Sequence, residues 1–376
     1  MENLIVPNRV RVFKDIPLII KRDFPKGDFK INIKAGDEIN PQTILGEGSA
    51  AAGFRTIHLA KDLGENPKTA LKFLRFALGQ KVFGGELLAL KEGVLGFSKK
   101  MLLVPNDGIL DFYDQKSGDL RIKLIPKASR LISGTYGIVE SINIPSGEIF
   151  IKTIGTVVYG VLGSGRERSG LLKVVGGAGE LVSSRQLDQS MRGQIIVGGG
   201  LVFMEALEQA INLGVAGIIS GGINGRDYLS MAGGKWKFSS DHWVDVGLSL
   251  LATEGFGSVT IGEDIFQLLM ENNNKFAILD GNKHQLILPT SDQNSMIYIR
   301  KAQFKSLEKG SLGFKQLQKG DKVRVISPHF LGLQGIVETI DETTTKLPSG
   351  VESLMVTILT NQKKIKMPYV NLEVVS

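Results

Sequence analysis

The chain contains 376 residues, of which 42% are hydrophobic and 46 are glycine, and its formal net charge is +7. This length predicts two to four domains, and this composition excludes an intrinsically disordered chain. The sequence has no cysteine, which excludes disulfides, thiolate metal sites and cysteine nucleophiles and favours a cytoplasmic location. No segment approaches the roughly 20 uninterrupted apolar residues that cross a bilayer, and the first ten residues lack the pattern of a signal peptide.

Residues 1–180 are predicted to form a β-rich domain, because short hydrophobic runs alternate there with glycine-containing turns. Two stretches, Lys-Ala-Gly-Asp-Glu-Ile-Asn-Pro at 34–41 and Gly-Gln-Lys-Val-Phe-Gly-Gly-Glu at 79–86, each combine a turn with a hydrophobic strand residue. Val-Pro-Asn-Asp-Gly-Ile-Leu follows at 104–110. These segments resemble the turns of barrel-sandwich hybrids, the fold of lipoyl and biotinyl domains and of insertions in RNA polymerase. The resemblance implies a barrel-sandwich-like domain.

An internal repeat lies within this region. Residues 108–123 read Gly-Ile-Leu-Asp-Phe-Tyr-Asp-Gln-Lys-Ser-Gly-Asp-Leu-Arg-Ile-Lys, and residues 137–152 read Gly-Ile-Val-Glu-Ser-Ile-Asn-Ile-Pro-Ser-Gly-Glu-Ile-Phe-Ile-Lys. Each copy is predicted to be a β-hairpin with a Ser-Gly turn. We expect the two hairpins to occupy equivalent places in one β domain.

Lipoyl and biotinyl domains carry their prosthetic group on a lysine at an exposed hairpin tip. Lys100 is the candidate in this sequence, but no methionine precedes it and Pro105 follows it closely. We therefore expect Lys100 to lie within a strand, and we expect no cofactor.

Residues 185–299 are predicted to form a small three-layer α/β domain. Buried strands are expected at 193–200, 215–223 and 246–252, with one helix at 201–213 and another that begins at Gly262. Acidic residues occupy the first turn of the second helix, where the helix dipole favours them. The strand–helix–strand order predicts a parallel sheet. This region holds 7 Lys or Arg and 12 Asp or Glu residues, a net charge of −5.

Each of the three predicted strands ends in a glycine-containing loop, at Gly198–Gly200, Gly221–Gly222 and Gly255. In open α/β sheets, ligands bind beyond the carboxyl ends of the strands. The loops therefore either line a ligand pocket or are simply tight turns that require glycine. For the pocket, the candidate residues are Gly199, Gly200, Gly222, Asn224, Arg226, Asp227, Thr253 and Glu254. The loops have neither the spacing of a dinucleotide-binding loop nor that of a P-loop.

The sequence offers no recognised catalytic or metal-binding motif. The four histidines are not spaced as metal ligands, and no Gly-x-Ser-x-Gly elbow is present. Asp241-His242-Trp243 follows a polar run that is typical of a surface loop. We therefore predict no catalytic residue and no metal site.

Residues 319–376 follow a lysine-rich linker at 300–318 and alternate as strands do. Gly-Asp-Lys-Val-Arg-Val at 320–325 leads into a proline-containing turn, and Gly332 and Gly335 precede the next strand. Further strands are expected at 353–359 and 365–374. This pattern resembles the KOW motif of ribosomal proteins and transcription elongation factors. The resemblance implies an SH3-like β-barrel, and barrels of that family bind RNA, ribosomes, RNA polymerase or other proteins.

Basic residues are concentrated in the C-terminal part of the chain. Residues 300–376 hold 12 Lys or Arg and 7 Asp or Glu residues, a net charge of +5, which favours contact with a polyanion. Strand alternation places the side chains of Lys322 and Arg324 on one face, and Lys363, Lys364 and Lys366 are also basic. These five residues are predicted to form one positive face that binds nucleic-acid phosphates.

Together these features predict a multidomain α+β protein with a β-rich barrel-sandwich-like half, a small three-layer α/β domain and a C-terminal SH3-like (KOW) barrel. The predicted function is non-enzymatic binding, in which the KOW-like barrel docks RNA, a ribosome or an RNA polymerase complex. The alternative is a small-molecule-binding or catalytic α/β domain with a glycine-lined crevice, in which case the barrels serve as scaffold.

Overall fold

The computed structural model describes residues 4–24, 27–50, 53–92, 99–125, 128–231, 246–304, 313–361 and 363–375. The strands of the first half are β1 (Ile5–Asn8), β2 (Val12–Asp23), β3 (Gly27–Ile31), β4 (Glu38–Ile39), β5 (Ile44–Ala50), β6 (Phe54–Ile57), β7 (Lys81–Val82), β8 (Leu87–Glu92), β9 (Lys99–Leu103), β10 (Gly108–Tyr113), β11 (Leu120–Leu124), β12 (Ala128–Ile132), β13 (Gly137–Asn143) and β14 (Glu148–Tyr159).

The strands of the second half are β15 (Leu162–Ser164), β16 (Glu167–Val174), β17 (Leu181–Val182), β18 (Ile195–Val197), β19 (Leu201–Val202), β20 (Gly217–Ile223), β21 (Ser249–Phe256), β22 (Phe276–Asp280), β23 (Gln285–Pro289), β24 (Gly313–Gln316), β25 (Lys322–Val325), β26 (Gln334–Lys346), β27 (Glu352–Leu359), β28 (Lys364–Pro368) and β29 (Leu372–Val374). The helices are α1 (Leu59–Leu63), α2 (Met204–Leu213), α3 (Gly225–Met231), α4 (Glu263–Glu271) and α5 (Ser295–Ile299). With 47% strand and 16% helix, the protein is a strand-rich α+β molecule.

A large mixed sheet forms the middle of the molecule, in the order β15-β21-β20-β18-β16-β22-β23-β14-β13-β4. Within it, β18, β20 and β21 are parallel. Alternate side chains of these strands enter two separate hydrophobic cores, with Ile196 and Ile218 on one face and Ile195 and Ile219 on the other. Helix α2 covers the first face and α4 the second. Because both faces are covered, the hydrophobic residues of these strands run on without strict alternation, as in Ile195–Val197 and Leu250–Ala252.

The N-terminal half contains one copy of a β unit inserted into another. The first copy consists of β2–β5 and β12–β14, and the second copy consists of β6–β11, which lie between β5 and β12. The second copy forms a sheet in the order β6-β11-β10-β7. The corresponding strands of the first copy pair in the same order, because β2 pairs with β14, β14 with β13, and β13 with β4.

The two copies agree in register as well as in strand order. In the second copy Gly108 pairs with Val82, and the β10–β11 register shifts between Leu110 and Phe112. In the first copy Gly137 pairs with Ile39, and the β13–β14 register shifts at the corresponding place. The predicted hairpins are therefore confirmed. The expectation that they share one β domain is wrong, because each belongs to its own copy of the unit.

The last part of the chain forms a second large sheet, called here the C-terminal sheet, in the order β24-β1-β29-β25-β26-β27-β28. Its strands enclose a hydrophobic core that includes Val6, Val323, Val337, Val356 and Val374. Strand β1 lies between β24 and β29 and pairs with both. Hydrophobic side chains from the beginning of the chain therefore complete a core built mainly from its last residues.

These pairings change the predicted domain boundaries. The predicted break between residues 180 and 185 falls within one continuous sheet, because β16 pairs with β18 on one side and with β22 on the other. Strand β1 lies within the predicted domain at 1–180 but pairs with β24 in the C-terminal sheet. Part of the predicted linker at 300–318 is strand β24. Local patterning predicted neither β1 nor β24 as a strand, because each is short and is paired only with a distant segment.

Candidate functional site

The three predicted glycine loops lie at the carboxyl ends of parallel strands. Gly198 follows β18, Gly221 and Gly222 lie near the end of β20, and Gly255 lies near the end of β21. The pairs β18–β20 and β20–β21 are both parallel, so the predicted arrangement of these strands is confirmed. The remaining question is whether the loops leave space for a ligand.

Neighbouring backbone fills that space. An ideal Cβ on Gly199 would lie 2.0 Å from the Glu180 carbonyl oxygen. On Gly221 it would lie 2.0 Å from the Val259 oxygen, and on Gly222 it would lie 2.0 Å from the Gly257 oxygen. Glycine is required here because other backbone segments approach closely. The loops pack as tight turns, which favours the second of the two interpretations, tight turns that require glycine, over a shared ligand pocket.

The polar residues assigned to that pocket are also dispersed. Asn224 and Arg226 are exposed, and the Asn224 side-chain oxygen accepts a hydrogen bond from the Arg226 backbone N–H at 2.9 Å. Asp227 is half-buried, and burial together with the nearby Glu205 carboxylate raises its pKa. Thr253 is buried, and the buried Glu254 carboxylate contacts Arg324 of the C-terminal sheet. The five polar residues therefore occupy different environments, from exposed to fully buried.

Glu254 instead belongs to a buried ionic network, called here the junction cluster, which consists of Arg11, Glu254, Asp264, Arg324 and Glu373. Arg324, on β25, is fully buried with an exposure of 0%. Its guanidinium lies 2.8 Å from Glu254 Oε1, 2.9 Å from Asp264 Oδ2 and 3.1 Å from Glu373 Oε1. Arg11 Nε lies 2.8 Å from Glu373 Oε1. The cluster joins the C-terminal sheet to β21, to α4 and to the segment before β2.

Electrostatics within the cluster favour the charged forms. Burial alone would lower the pKa of Arg324, but the carboxylates of Glu254 and Asp264 outweigh burial and raise it above the ordinary value. Burial alone would raise the pKa of Glu254, but Arg324 and Arg11 outweigh it, so the pKa of Glu254 lies below 4.5. The charges of Arg324 and Glu254 are favoured despite burial because opposite charges and hydrogen bonds surround these two groups.

The lowered pKa of Glu254 predicts a pH-dependent contribution to stability. Because its folded-state pKa lies below its ordinary value of 4.5, the contribution is complete above that value and is lost as pH falls through the folded-state pKa. Glu254→Gln should therefore lower the free energy of unfolding most at neutral pH. The difference in free energy of unfolding between wild type and variant should narrow progressively below pH 4.5. Urea titrations at a series of pH values measure this difference, and a difference independent of pH would contradict the assignment.

An open cleft of about 1120 Å³, called here the junction cleft, adjoins this cluster. Arg11, Asp264 and Arg324 of the cluster form part of its lining. The turn at 328–334, the start of α4 and the segment 10–14 form its walls. The exposed side chains that line the cleft and carry a positive charge or an aromatic ring are Lys14, Lys322, His329, Phe330 and Lys363. Glu263 is an exposed carboxylate in the same lining. The exposed part of the cleft therefore has an excess of positive charge.

Phe330 is the aromatic side chain that sequence reasoning did not select. Its ring is 37% exposed, and Lys363 Nζ lies 5.1 Å from the ring centroid. The turn residues Pro328–Phe330 form one turn of 3₁₀ helix after β25. Proline followed by His-Phe in this turn was visible in the sequence, but only the strand order β25-β26-β27-β28 places the turn beside Lys363, which lies between β27 and β28.

The five predicted nucleic-acid-binding residues separate into three groups. Lys322 and Lys363 line the junction cleft. Lys364 and Lys366 point outward from β28, where they pair with Glu338 and Asp341, at 2.5 Å and 2.8 Å. Arg324 is buried in the junction cluster, so its assignment to an exposed face is wrong. The outward face of β25 is covered there by the α/β region, which alternation along a strand cannot reveal.

Lys100 lies in β9, opposite Lys91 of β8, as expected. Asp241-His242-Trp243 lies outside the described residues. Across the described parts of the chain, no group of three or more His, Cys, Asp or Glu side chains is placed to hold a metal ion. Nor is any described helix long and apolar enough to span a membrane.

The chain matches no protein-family model, and it matches none of the curated proteins with which it was compared.

Proposed function

We propose that the C-terminal sheet is a KOW-type barrel and that it docks single-stranded RNA in the junction cleft. The observation that carries the proposal is that Lys322, Lys363 and Phe330 are all exposed and line the same cleft. Cationic side chains beside an exposed aromatic ring suit a ligand that has both phosphates and unpaired bases.

Two features of the C-terminal sheet support the KOW resemblance. Residues 320–325 contain β25, and β25 pairs antiparallel with β26 at Val323 and Gly335. Gly332 in the connecting turn has a φ of +87°, and a Cβ there would lie 2.3 Å from the Glu263 backbone nitrogen. A side chain at this turn would push the barrel away from α4. Glycine therefore holds one wall of the cleft in place.

The proposed contacts divide by chemistry. Lys322 and Lys363 would neutralise backbone phosphates and release counterions, which makes affinity dependent on salt. Phe330 would stack on a base, a contact worth about 1–3 kcal/mol per base. Lys363 lies near the Phe330 ring, so Lys363 can contact a phosphate while Phe330 stacks on the base of the same nucleotide. Such contacts do not read sequence.

Fluorescence anisotropy with a labelled single-stranded RNA, measured over a range of salt concentrations, tests the proposal. The double variant Lys322→Ala/Lys363→Ala should bind more weakly, and the slope of log affinity against log salt should fall by about 0.7 per lost phosphate contact. Phe330→Ala should weaken binding by about 1–3 kcal/mol and leave the slope unchanged. The matched control is Lys30→Ala/Lys116→Ala, which removes two exposed lysines outside the C-terminal sheet.

Equal affinities for the cleft and control variants would refute the proposal. Binding that does not depend on salt would also contradict phosphate contact.

A further inference from the structure

The two copies of the β unit present equivalent outer faces on their hairpin sheets. In the first copy Glu38 pairs with Ile138, and Ile138 pairs with Lys152. In the second copy Lys81 pairs with Ile109, and Ile109 pairs with Lys123. We call the surface formed by Glu38, Ile138 and Lys152 the first-copy face. The surface formed by Lys81, Ile109 and Lys123 is the second-copy face. Because strand order and register agree, the first-copy face shows what the second-copy face is shaped to bind.

The chain itself covers the first-copy face. Ile138 and Phe304 both pack against a buried cluster of Ile154 with Met296 and Ile299 of α5. Arg300, which directly follows α5, pairs with Glu38 at 2.7 Å. Phe304 lies under the Lys152 ammonium, with 5.5 Å between Nζ and the ring centroid. The covering segment therefore has three parts in chain order. Helix α5 supplies apolar side chains, Arg300 supplies the charge opposite to that of Glu38, and Phe304 supplies the aromatic ring beside Lys152.

The second-copy face is exposed in the structure. Ile109 is 37% exposed, Phe54 is 55% exposed and Phe112 is 52% exposed. Arg121 lies between the two rings, 4.6 Å from Phe54 and 5.5 Å from Phe112, and its guanidinium is held by Asp111 at 2.6 Å. The rings therefore rest on a fixed charged side chain and stay at the surface. Large apolar side chains exposed on one sheet face, here alternating with Arg121 and Lys123 of β11, mark a candidate interaction site.

One difference between the two faces identifies the partner. Glu38 of the first-copy face, which pairs with Arg300, corresponds to Lys81 of the second-copy face. The charge at this position is therefore reversed between the two faces. Lys81 and Lys123 are both exposed, and Lys123 offers the same position for an aromatic ring as Lys152. A partner that docks as α5 docks must carry an acidic residue where α5 is followed by arginine.

We propose that the second-copy face binds a short amphipathic helix of another protein, with an acidic residue at the position equivalent to Arg300 and an aromatic residue four positions later. This surface is separate from the junction cleft and its partner is a peptide, so the inference does not rest on RNA binding. Recognition follows the helix-in-groove pattern, in which one apolar helix face supplies the contact area and a charged residue sets specificity.

Peptides copied from the protein's own covering segment provide the probe. Residues 293–304 are synthesised as the natural sequence and with Arg300→Glu, and each is titrated into the full-length protein labelled at isoleucine methyl groups. The Arg300→Glu peptide should shift the Ile109 methyl signal and leave Ile138, which α5 covers, unchanged. The natural peptide should bind at least tenfold more weakly, because its arginine meets Lys81.

A reciprocal variant makes the test specific. In Lys81→Glu protein the preference should reverse, so that the natural peptide shifts Ile109 and the Arg300→Glu peptide does not. Lys116→Glu, which changes an exposed lysine in the turn between β10 and β11, is the matched control and should leave the preference unaltered. Because both lysines are exposed, neither variant is expected to impair folding.

Absence of an Ile109 shift with either peptide would overturn the proposal, as would a peptide preference that Lys81→Glu does not reverse. A shift of Ile109 on addition of a 12-nucleotide single-stranded RNA, without a peptide effect, would identify the face as a nucleic-acid surface and would also overturn it. Failure of RNA binding in the junction cleft leaves these outcomes unchanged.

Discussion

Replacing Arg324 by alanine is expected to lower the free energy of unfolding by about 3–5 kcal/mol, because the change leaves buried carboxylates without their partner. Three carboxylates, those of Glu254, Asp264 and Glu373, lie within 3.1 Å of the Arg324 guanidinium. Arg11 remains to neutralise part of this charge, but it contacts only two of them. Urea denaturation followed by circular dichroism measures the loss.

The control for this prediction is Lys322→Ala, which removes an exposed cation from the same strand. It should change the free energy of unfolding by no more than about 0.5 kcal/mol, as surface substitutions generally do. Similar effects for the two variants would show that the junction cluster contributes nothing beyond ordinary strand packing.

Replacing Gly222 by alanine is expected to destabilise the protein by about 3 kcal/mol, at the upper end of the range for overpacking. The added Cβ would lie 2.0 Å from the Gly257 oxygen and 3.1 Å from the Gly257 carbonyl carbon. Both atoms belong to the backbone, so a side-chain rotation cannot relieve the contact. The segment 257–261 must move away from the end of β20, and the thermal unfolding midpoint should fall by several degrees.

Gly177→Ala is the matched control, because no heavy atom lies within 4 Å of the ideal Cβ at that position. This variant should be close to wild type in stability. Tolerance of alanine at Gly222 as well would show that the loop has open space beside it, and the ligand-pocket interpretation would then regain support.

Elements defined by local sequence were predicted well. The Ser-Gly hairpins, the parallel strands that end in glycine and the acidic start of α4 all depend on residues within about 15 positions of one another. Turn chemistry and hydrophobic periodicity act over that distance. The internal repeat at 108–123 and 137–152 was also visible, since the copies share residues at corresponding positions.

Non-local partners could not be predicted in the same way. Alternation along β25 correctly placed Lys322 and Arg324 on the outward face, but it contains no information about which other segment packs on that face. Arg11 and Glu373 are 362 positions apart in the chain, so no sequence window relates them. The insertion of the second copy into the first is likewise a matter of strand pairing between distant segments.

The position of β1 between β24 and β29 has a consequence for synthesis. Asn8 pairs with Val374, and a ribosome adds about 5–20 residues per second. Roughly 20–70 s therefore separate the emergence of the first of these strands from that of the second. β1 has neither neighbour until β24 emerges, and it has only β24 until β29 emerges. Its unpaired hydrogen-bonding edges are open to strands of other chains during this interval, so the nascent protein is prone to aggregate until β29 emerges.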